Sequence, residues 1–412
     1  MDKKILVYEE FFFKTKLMGY LYIDTIRGIE QHSFEFSTSW LKEHRFNFSL
    51  DPDLAFIPGR QYPINKTTFG IFSDSCPDRW GRVLMDRCER IIADKEKRKP
   101  NRLFNSNYLL GVYDECRMGA IRLKVDESGD FLSSDYEVTI PPWTTIRTLE
   151  EASRNFENEE TTLQAKWLNQ LIKPGSSLGG ARPKATVSDT EGHLWIAKFP
   201  SRKDEYNVGA WEKTAHDLAK LCGLNSPETK LAPFSKYGST LLIKRFDRDG
   251  KKRIHFASAM TMLGKIDGQS DECSYLDIAS FIKSSGASPK EDLKELYKRI
   301  IFNMAINNSD DHLRNHGFLL TEKGWVLSPL YDINPVPYGN NLSLNIDGIS
   351  NEISTKNAIA TAKYYGLSVK EAEETTKFIL NTVKNNWEQI ALSNKLTRAA
   401  IENMRPAFIG EN

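Results

Sequence analysis

Residues 307–320 read NNSDDHLRNHGFLL. Two adjacent aspartates, two histidines and several amides stand in this stretch, just before the apolar run 317–320. Three kinds of chemistry compete for so polar a segment: a zinc site, a two-metal carboxylate site and a phosphoryl-transfer site.

A zinc site would use His312 and His316, which are four residues apart and would share a helix face. The stretch lacks the glutamate that H-E-x-x-H places second, where zinc proteases keep their general base. A two-metal site of the hydrolase kind would use Asp310 and Asp311. Side chains of adjacent residues diverge, so both would rarely reach one ion.

Phosphoryl transfer needs a carboxylate that accepts the proton of the substrate hydroxyl and an oxygen ligand nearby for the magnesium ion of the nucleotide. Asp310 and Asn315 have the spacing of the kinase catalytic loop. Residues 317–327 predict a hairpin around the turn TEKG, which would bring Asp332 back beside Asn315. Asp332 is followed by Ile333, so the usual D-F-G is absent, and a turn-capping aspartate remains an alternative.

Glycines and a lysine stand upstream in the order that a kinase requires. Gly175, Gly179 and Gly180 would let the backbone approach phosphate, although Ala181 stands where a Walker A motif has lysine. Taken alone, such a cluster is more often a turn. Lys198, in the apolar stretch HLWIAKFP, resembles the lysine of V-A-I-K, and its alternative is an edge-strand lysine that reaches water.

The segment that follows supplies two further candidates. Glu212 is the most plausible ion-pair partner for Lys198, with Glu205 second. The stretch LLIKRFDR predicts a linker between two lobes, in which backbone groups of Arg245 and Phe246 would lie against adenine.

Composition places the chain among folded globular proteins. Its 412 residues predict two or three domains, and the net charge of +1 favours neither nucleic acid nor an anionic membrane as a partner. The five cysteines form no C-x-x-C pair, which argues against a zinc ribbon or a disulfide framework. No signal peptide or membrane span is visible, so we expect a cytoplasmic location.

The element pattern predicts an α+β fold. Short strands with one basic helix are expected up to about residue 125, a helix over residues 147–173, a hairpin after it, and mainly helices from Ser274 onward. The predicted division is an accessory domain at 1–125, a kinase N-lobe with the glycine-rich loop at 126–247, and a helical C-lobe with the catalytic loop at 248–412.

The motifs SSLGGARPKA, IAKFP, KRFDR, NNSDDHLRNHGFLL and LSPLYDINP, in this order and spacing, resemble the HipA family of bacterial serine/threonine kinases, the toxins of toxin-antitoxin pairs. The N-terminal stretch FGIFSDSCPDRWGRVLMDR is similar to the small domain that precedes the kinase core in longer members. The resemblance implies a two-lobed protein-kinase-like fold with a β-rich accessory domain and an all-helical C-terminal lobe.

The resemblance also implies roles for individual residues. Asp310 would be the catalytic base, and Asn315 and Asp332 the Mg²⁺ ligands. The ATP site would comprise Gly179, Gly180, Ala181, Lys184, Lys198, Arg245, Phe246 and Asp247, with Asp247 near the ribose. Ser177 matches the serine that the family autophosphorylates, with Ser176 as its rival. Asp311 replaces the glycine common after the catalytic aspartate, which leaves the exact loop conformation open.

The partners implied by the resemblance are a protein substrate among translation components, such as an aminoacyl-tRNA synthetase, and a helix-turn-helix antitoxin. DNA would be contacted only through the antitoxin, and no membrane is expected. An alternative of another class is a nucleotide-binding corepressor that has lost catalysis. The presence of Asp310, Asn315, Asp332 and Lys198 speaks against it, because a purely structural role would not require all four.

Overall fold

The computed structural model describes residues 3–43, 46, 48–77, 79–133, 140–157, 171, 182–269 and 272–408. The chain forms two compact units, one of residues 1–202 with 244–257 and the other of residues 203–243 with 258–412. The domain boundaries at 125/126 and 247/248 stay predictions. Strands and helices occur in both units, in agreement with the predicted α+β class.

The first unit is built on an antiparallel sheet near the N-terminus. Apolar residues alternate with more exposed ones along its strands, as expected for a sheet with one buried face. Leu21 and Ile23, for example, are both buried. Trp40 stacks on Phe36 behind the sheet at 5.0 Å between ring centroids. In spatial order the strands are Ile29–Phe36, Lys16–Ile26, Lys3–Glu9 and Ile121–Lys124.

Helix Thr38–Glu43 contacts strand Lys16–Ile26 of this sheet, and further helices follow along the chain. Pro77 precedes the basic helix, which buries Trp80 and Leu84 and leaves its charged residues partly or fully exposed. The helix predicted over 147–173 is present as Ile146–Phe156, and its remaining part falls mostly on residues that the structure does not describe. The helices of the first unit are Thr38–Glu43, Gly70–Ser73, Arg79–Lys95, Asn105–Gly111 and Ile146–Phe156, with 3-10 turns at Phe11–Phe13, Asp114–Cys116 and Trp143–Thr145.

The predicted hairpin follows in the first unit. Strands Lys184–Ser188 and Leu194–Lys198 pair antiparallel, and Lys184 lies directly opposite Lys198. A second, short pair joins Arg248–Asp249 to Lys252–Arg253. The strand Phe256–Ser258 lies where the chain leaves this unit.

The second unit is rich in helices, with the predicted hairpin among them. Its helices are Val208–Leu221, Ala259–Met262, Tyr275–Ser285, Pro289–Ala305, Thr355–Ala360, Val369–Ser393 and Arg398–Met404, with 3-10 turns at Leu313–Asn315, Ala362–Tyr365 and Arg405–Ala407. Its strands are Thr229–Ser235, which pairs with Gly238–Lys244, and Gly317–Thr321, which pairs with Gly324–Leu327. Trp325 of the second hairpin is fully buried and anchors this hairpin in the core.

Candidate active site

The catalytic-loop candidate lies between a long buried helix and the second hairpin. Helix Pro289–Ala305 starts with proline in its first turn, next to Glu291 and Asp292, and both features favour a helix N-terminus. Asn307 follows the helix with a positive φ of 50°, which turns the chain out of helical geometry. The polar stretch is therefore a loop that leaves a rigid helix.

The loop closes on the main chain of Asp310. The carbonyl oxygen of Asp310 accepts hydrogen bonds from Nδ2 of Asn315 at 2.8 Å and from the backbone N–H of His312 at 3.0 Å. The N–H of Asn315 donates to the carbonyl of His312 at 2.8 Å. The predicted pair Asp310 and Asn315 is thus brought together, and the bond between them fixes the orientation of the Asn315 amide.

The carboxylate of Asp310 is held in a partly buried and electronegative setting. The pKa of Asp310 is raised above its ordinary value, chiefly by burial. The positive charge of His312 opposes this shift, whereas the negative charges of Asp332 and Asp311 add to it. A carboxylate with a raised pKa is a stronger proton acceptor than an ordinary surface aspartate. The charge of Asp332, which follows the hairpin, therefore acts on Asp310 in the loop.

Asp332 has an unusual backbone conformation. Its φ is +56°, which L-residues rarely adopt and which is found at functional sites when the surroundings hold it. Hydrogen bonds fasten the residues around it: the Tyr331 hydroxyl donates to the carbonyl of Arg314 at 2.7 Å, and Nδ2 of Asn307 donates to the carbonyl of Val336 at 2.8 Å. The segment after the hairpin is thereby tied to the catalytic-loop candidate.

The donor atoms present fit a magnesium ion shared with a nucleotide. Because Nδ2 of Asn315 is bonded to the loop, Oδ1 remains as a hard oxygen donor, and Asp332 adds a carboxylate. Within the described residues no group of three or more His, Cys, Asp or Glu side chains could hold a metal by itself. Two protein oxygens suit an ion whose other ligands come from phosphates and water.

The zinc and two-metal alternatives receive no support from the same loop. Nε2 of His316 donates to Oδ2 of Asp311 at 2.9 Å, and both residues are buried. His316 is thus engaged with a carboxylate instead of sharing an open face with His312. Asp311 is enclosed in the interior, where burial opposes its ionisation, yet His316 and a hydrogen bond from Tyr275 keep its pKa below the ordinary value.

The lysines assigned to phosphate lie together in the first unit. Lys184 and Lys198 are cross-strand partners, so their side chains leave the same face of the hairpin. Lys184 is buried, and its carbonyl accepts a hydrogen bond from the Trp80 indole at 3.2 Å. Two ammonium groups on one face of a hairpin suit a phosphate-binding surface.

Glu212 lies in the second unit on helix Val208–Leu221, whose N-terminus is capped by the Asn207 side chain. It is buried, with Oε1 at 4.0 Å from Nε2 of His216. Its pairing with Lys198 stays a prediction.

The predicted nucleotide linker contains a buried ion-pair cluster. Asp247 accepts hydrogen bonds from Arg245 at 2.8 and 2.7 Å, from Arg248 at 2.6 Å and from the N–H of Gly119 at 2.9 Å. Arg245 donates in turn to the carbonyl of Cys116 at 2.8 Å. These bonds brace the linker on the 116–119 segment of the accessory region, and they occupy the carboxylate that was expected near ribose.

The backbone of the linker is only partly available for adenine. The N–H of Arg245 donates to the carbonyl of Leu194 at 2.9 Å, which continues strand pairing. This N–H is therefore engaged within the protein, and the contact of Arg245 and Phe246 with adenine stays a prediction. The contact of Asp247 with ribose also stays a prediction, against which its four hydrogen bonds speak.

Several predicted residues lie outside the described part of the chain: Ser176, Ser177, Gly179, Gly180 and Ala181. Three residues were not predicted from the sequence. The backbone N–H of Gly119 binds Asp247, and the side chains of Tyr275 and Asn303 bind Asp311. The signal for Asn303 was present, since an asparagine interrupts the apolar face of its helix.

Comparisons with known proteins show which family this chain is similar to. Residues 176–387 match the family model described as the HipA-like C-terminal domain. The protein named "Putative kinase Y4dM" of Sinorhizobium fredii is 23% identical over 381 residues, which cover 86% of this chain and 84% of that protein. The serine/threonine-protein kinase toxin HipA of Shewanella oneidensis is 24% identical over 188 residues, which cover 39% of this chain and 43% of that protein.

A solved structure shows the same fold over nearly the full length. It is the complex of Shewanella oneidensis HipA with HipB and operator DNA, with a TM-score of 0.69 at 15% identity, and the match covers 98% of this chain and 94% of that one. The predicted HipA-like α+β fold is confirmed by this likeness. In the part of this chain that the structure describes, no helix is both long and apolar enough to cross a membrane.

Proposed function

Because the match over residues 176–387 shows that this chain belongs to the HipA-like family, we propose that it is an ATP-dependent protein kinase that phosphorylates serine or threonine. The observation that supports the proposal is the hydrogen bond from Asn315 to Asp310, together with the charge of Asp332, which follows the hairpin and acts on Asp310. A base and two metal ligands in this order are what phosphoryl transfer requires.

Asp310 is the proposed base. Its carboxylate accepts the proton of the acceptor hydroxyl as the oxygen attacks the γ-phosphorus of ATP, and the bond from that phosphorus to the β-phosphate oxygen breaks to release ADP. The raised pKa of Asp310 supports this role, because a stronger base shares the proton earlier in the transfer. The two hydrogen bonds to its carbonyl hold the residue in place.

Asn315 and Asp332 are the proposed ligands of Mg²⁺, which when bound neutralises charge on the phosphates. The Asn315 amide is already turned by its bond to the loop, and the strained backbone of Asp332 is held by its neighbours. Both oxygens are thus prepared before the nucleotide arrives, which lowers the entropy lost on binding.

Residues of the hairpin Lys184–Lys198 are proposed to hold the phosphates, together with the loop of Gly179, Gly180 and Ala181. The cross-strand pairing of Lys184 with Lys198 supports this proposal, since two ammonium groups on one face suit a polyanion. Backbone groups of Arg245 and Phe246 are proposed to contact adenine. Glu212 is the proposed ion-pair partner of Lys198.

We further propose that the chain acts as a toxin neutralised by a small helix-turn-helix antitoxin. The support is the solved toxin-antitoxin complex from Shewanella, which joins HipA with HipB and operator DNA. DNA would then be contacted only through the antitoxin. The proposed substrate is a translation component, for example an aminoacyl-tRNA synthetase, which rests on the resemblance to the family.

An alternative is a nucleotide-binding corepressor without catalysis. Incubating the purified chain with γ-labelled ATP, Mg²⁺ and a cell extract, followed by phosphoamino-acid analysis, tests the two against each other. The kinase predicts label on serine or threonine of the chain itself or of an acceptor. Saturable ATP binding without any transferred label would overturn the kinase proposal and favour the corepressor.

A further inference from the structure

Asp310 and Asp311 are adjacent carboxylates with opposite surroundings. Asp310 lies at the candidate site, near the charge of Asp332. Asp311 points into the interior and is only 2% exposed. This divergence is expected for consecutive residues of an extended loop, and it leaves one buried carboxylate that the proposed reaction does not use.

Three donors converge on a single oxygen of that carboxylate. Oδ2 of Asp311 accepts hydrogen bonds from the Tyr275 hydroxyl at 2.7 Å, from Nδ2 of Asn303 at 2.6 Å and from Nε2 of His316 at 2.9 Å. All three donor residues are at most 1% exposed. Charge-assisted hydrogen bonds of these lengths are among the strong ones, and in a low-dielectric interior they hold a side chain in one position.

The donors belong to different parts of the second unit. Tyr275 begins helix Tyr275–Ser285, Asn303 lies in the last turn of helix Pro289–Ala305, and His316 directly precedes strand Gly317–Thr321. The carboxylate is therefore the point at which two helices and the hairpin are joined to the catalytic-loop candidate. A loop fastened at this point cannot shift without breaking bonds in the interior.

The network also extends towards the second metal-ligand candidate. Oδ1 of Asn303 accepts from Nδ2 of Asn308 at 3.1 Å. Oδ1 of Asn308 accepts from the N–H of Asn334 at 3.5 Å, and Asn334 stands two residues after Asp332. The same set of bonds thus reaches both sides of the candidate site.

We propose that Asp311 is a positioning residue, which holds the loop so that Asp310 faces the acceptor hydroxyl and Asp332 faces the metal. This inference rests on the proposed kinase function and concerns the same site. Asp311 touches neither ATP nor the acceptor in this role. Displacement of a catalytic group by about 1 Å costs on the order of 100-fold in rate, so Asp311→Ala is expected to lower kcat by about that factor.

The test compares two tyrosine variants that each lose one buried hydroxyl bond. Tyr275→Phe removes a donor to Asp311, whereas Tyr297→Phe removes the bond to Thr376 Oγ1 at 3.1 Å in the same unit, outside the network. Both should lower Tm, and Tyr275→Phe by more, because its hydroxyl donates to a buried carboxylate whereas the bond of Tyr297 joins two neutral hydroxyls. Only Tyr275→Phe should lower kcat, by roughly 10-fold, with the KM for ATP unchanged.

Conservative replacement provides a second measurement. Asp311→Asn keeps an oxygen that can accept from the donors, so its kcat should lie between those of the wild type and Asp311→Ala. Equal losses of kcat in Tyr275→Phe and Tyr297→Phe, or a folded Asp311→Ala variant with wild-type kcat, would overturn the positioning role. Absence of phosphoryl transfer in the wild type itself would overturn the proposed function and this inference with it.

Discussion

The side-chain amide nitrogen of Asn315 donates a 2.8 Å hydrogen bond to the main-chain carbonyl of Asp310. This bond determines which end of the amide is available to a metal, because an asparagine whose nitrogen is engaged can offer only its oxygen. The proposed base Asp310 and the proposed metal ligand Asn315 are therefore held in a fixed relative position by this bond. Because their proposed roles differ, substitutions at the two residues should have different effects.

Asp310→Ala is expected to abolish phosphoryl transfer without loss of ATP binding. Removal of a positioned base costs roughly two to four powers of ten in rate, while other residues are proposed to hold the phosphates and adenine. Label transfer from ATP and the Kd for ATP measure the two effects separately. Asp347→Ala is a suitable control, since it removes a carboxylate that only caps an exposed turn. Wild-type turnover in Asp310→Ala would contradict the assigned role.

Activity should require Mg²⁺ or Mn²⁺ and vanish in the presence of EDTA. Asn315 and Asp332 are hard oxygen donors that suit these ions. Asn315→Ala should raise the Mg²⁺ concentration needed for half-maximal activity, and it should also lower kcat because the bond to Asp310 is lost. A magnesium titration of both proteins measures this change. Transfer that persists in excess EDTA would refute the metal assignment.

Gly119 is predicted to be irreplaceable for the brace on the linker. Its φ is +74°, and a Cβ there would lie 3.1 Å from His255 Nδ1 and from the N of Phe256. Gly28 has a similar φ of +76° with nothing within 4 Å, so Gly28→Ala is a matched control for backbone strain alone. Gly28→Ala should cost about 1 kcal/mol, and Gly119→Ala more.

The affinity for ATP is a second property in which the variants Gly119→Ala and Gly28→Ala should differ. The N–H of Gly119 donates to Asp247, which holds Arg245 of the proposed adenine segment. A displaced linker should weaken ATP binding in Gly119→Ala but not in Gly28→Ala. Urea denaturation and the Kd for ATP are the measurements. Equal free energies of unfolding in the two variants would show that the space around Gly119 does not matter.

The stability of the accessory region is expected to depend on Glu9. Glu9 is fully buried, and its carboxylate accepts from the Phe11 N–H and from the Trp40 indole at 3.3 Å. Burial raises its pKa from 4.5 to about 7, although these hydrogen bonds oppose the change. The folded state thus binds the proton more tightly than the unfolded state does.

The sign of the pH effect follows from that difference. The stabilisation is complete below pH 4.5 and is lost as the pH rises through about 7. At about 1.4 kcal/mol per pH unit the loss is roughly 3 kcal/mol. Glu9→Gln removes the titrating group, so the free energy of unfolding of the wild type should fall relative to the variant between pH 5 and pH 8. A constant difference over this range would disprove the assignment.

Local signals in the sequence predicted the hairpin around TEKG and the spacing of Asp310 and Asn315. A turn between two apolar runs determines the hairpin, and a short loop brings residues five apart together whatever the rest of the chain does. Contacts of high sequence separation could not be predicted in this way. Tyr275 donates to Asp311 from 36 positions away, and Gly119 donates to Asp247 from 128 away.

The linker shows why residue roles were harder to predict than the fold. The sequence shows an arginine and an aspartate at positions 245 and 247, but it does not show whether they bind a nucleotide or each other. Three of the four hydrogen bonds to Asp247 come from Arg245 and Arg248, and the fourth comes from Gly119 in the 116–119 segment, so the carboxylate is used inside the protein. The sequence of the linker alone does not predict this use of Asp247, because the 116–119 segment that also binds the cluster lies far away in the sequence.

Ser177 is predicted to be a phosphosite that makes the kinase self-limiting. It stands two residues before Gly179 in the proposed nucleotide loop, and a phosphate there adds about −1.5 to −2 charges at neutral pH. Lys184 is buried at the start of a paired strand, so it is poorly placed to swing towards a new phosphate. Arg182 is partly exposed and precedes that strand, which makes it the better candidate.

Like charges repel, so a chain that carries a phosphate in the proposed nucleotide loop should bind ATP weakly and be inactive. Intact mass and peptide mapping after incubation with Mg-ATP should find one phosphate at Ser177. Ser177→Ala should stay active and unmodified, Ser177→Asp should bind ATP more weakly, and Ser176→Ala is the matched control that should still acquire phosphate. If the phosphate instead disappears in Ser176→Ala and persists in Ser177→Ala, the neighbouring serine is the site. Tight ATP binding by Ser177→Asp would mean that charge in this loop does not regulate the kinase.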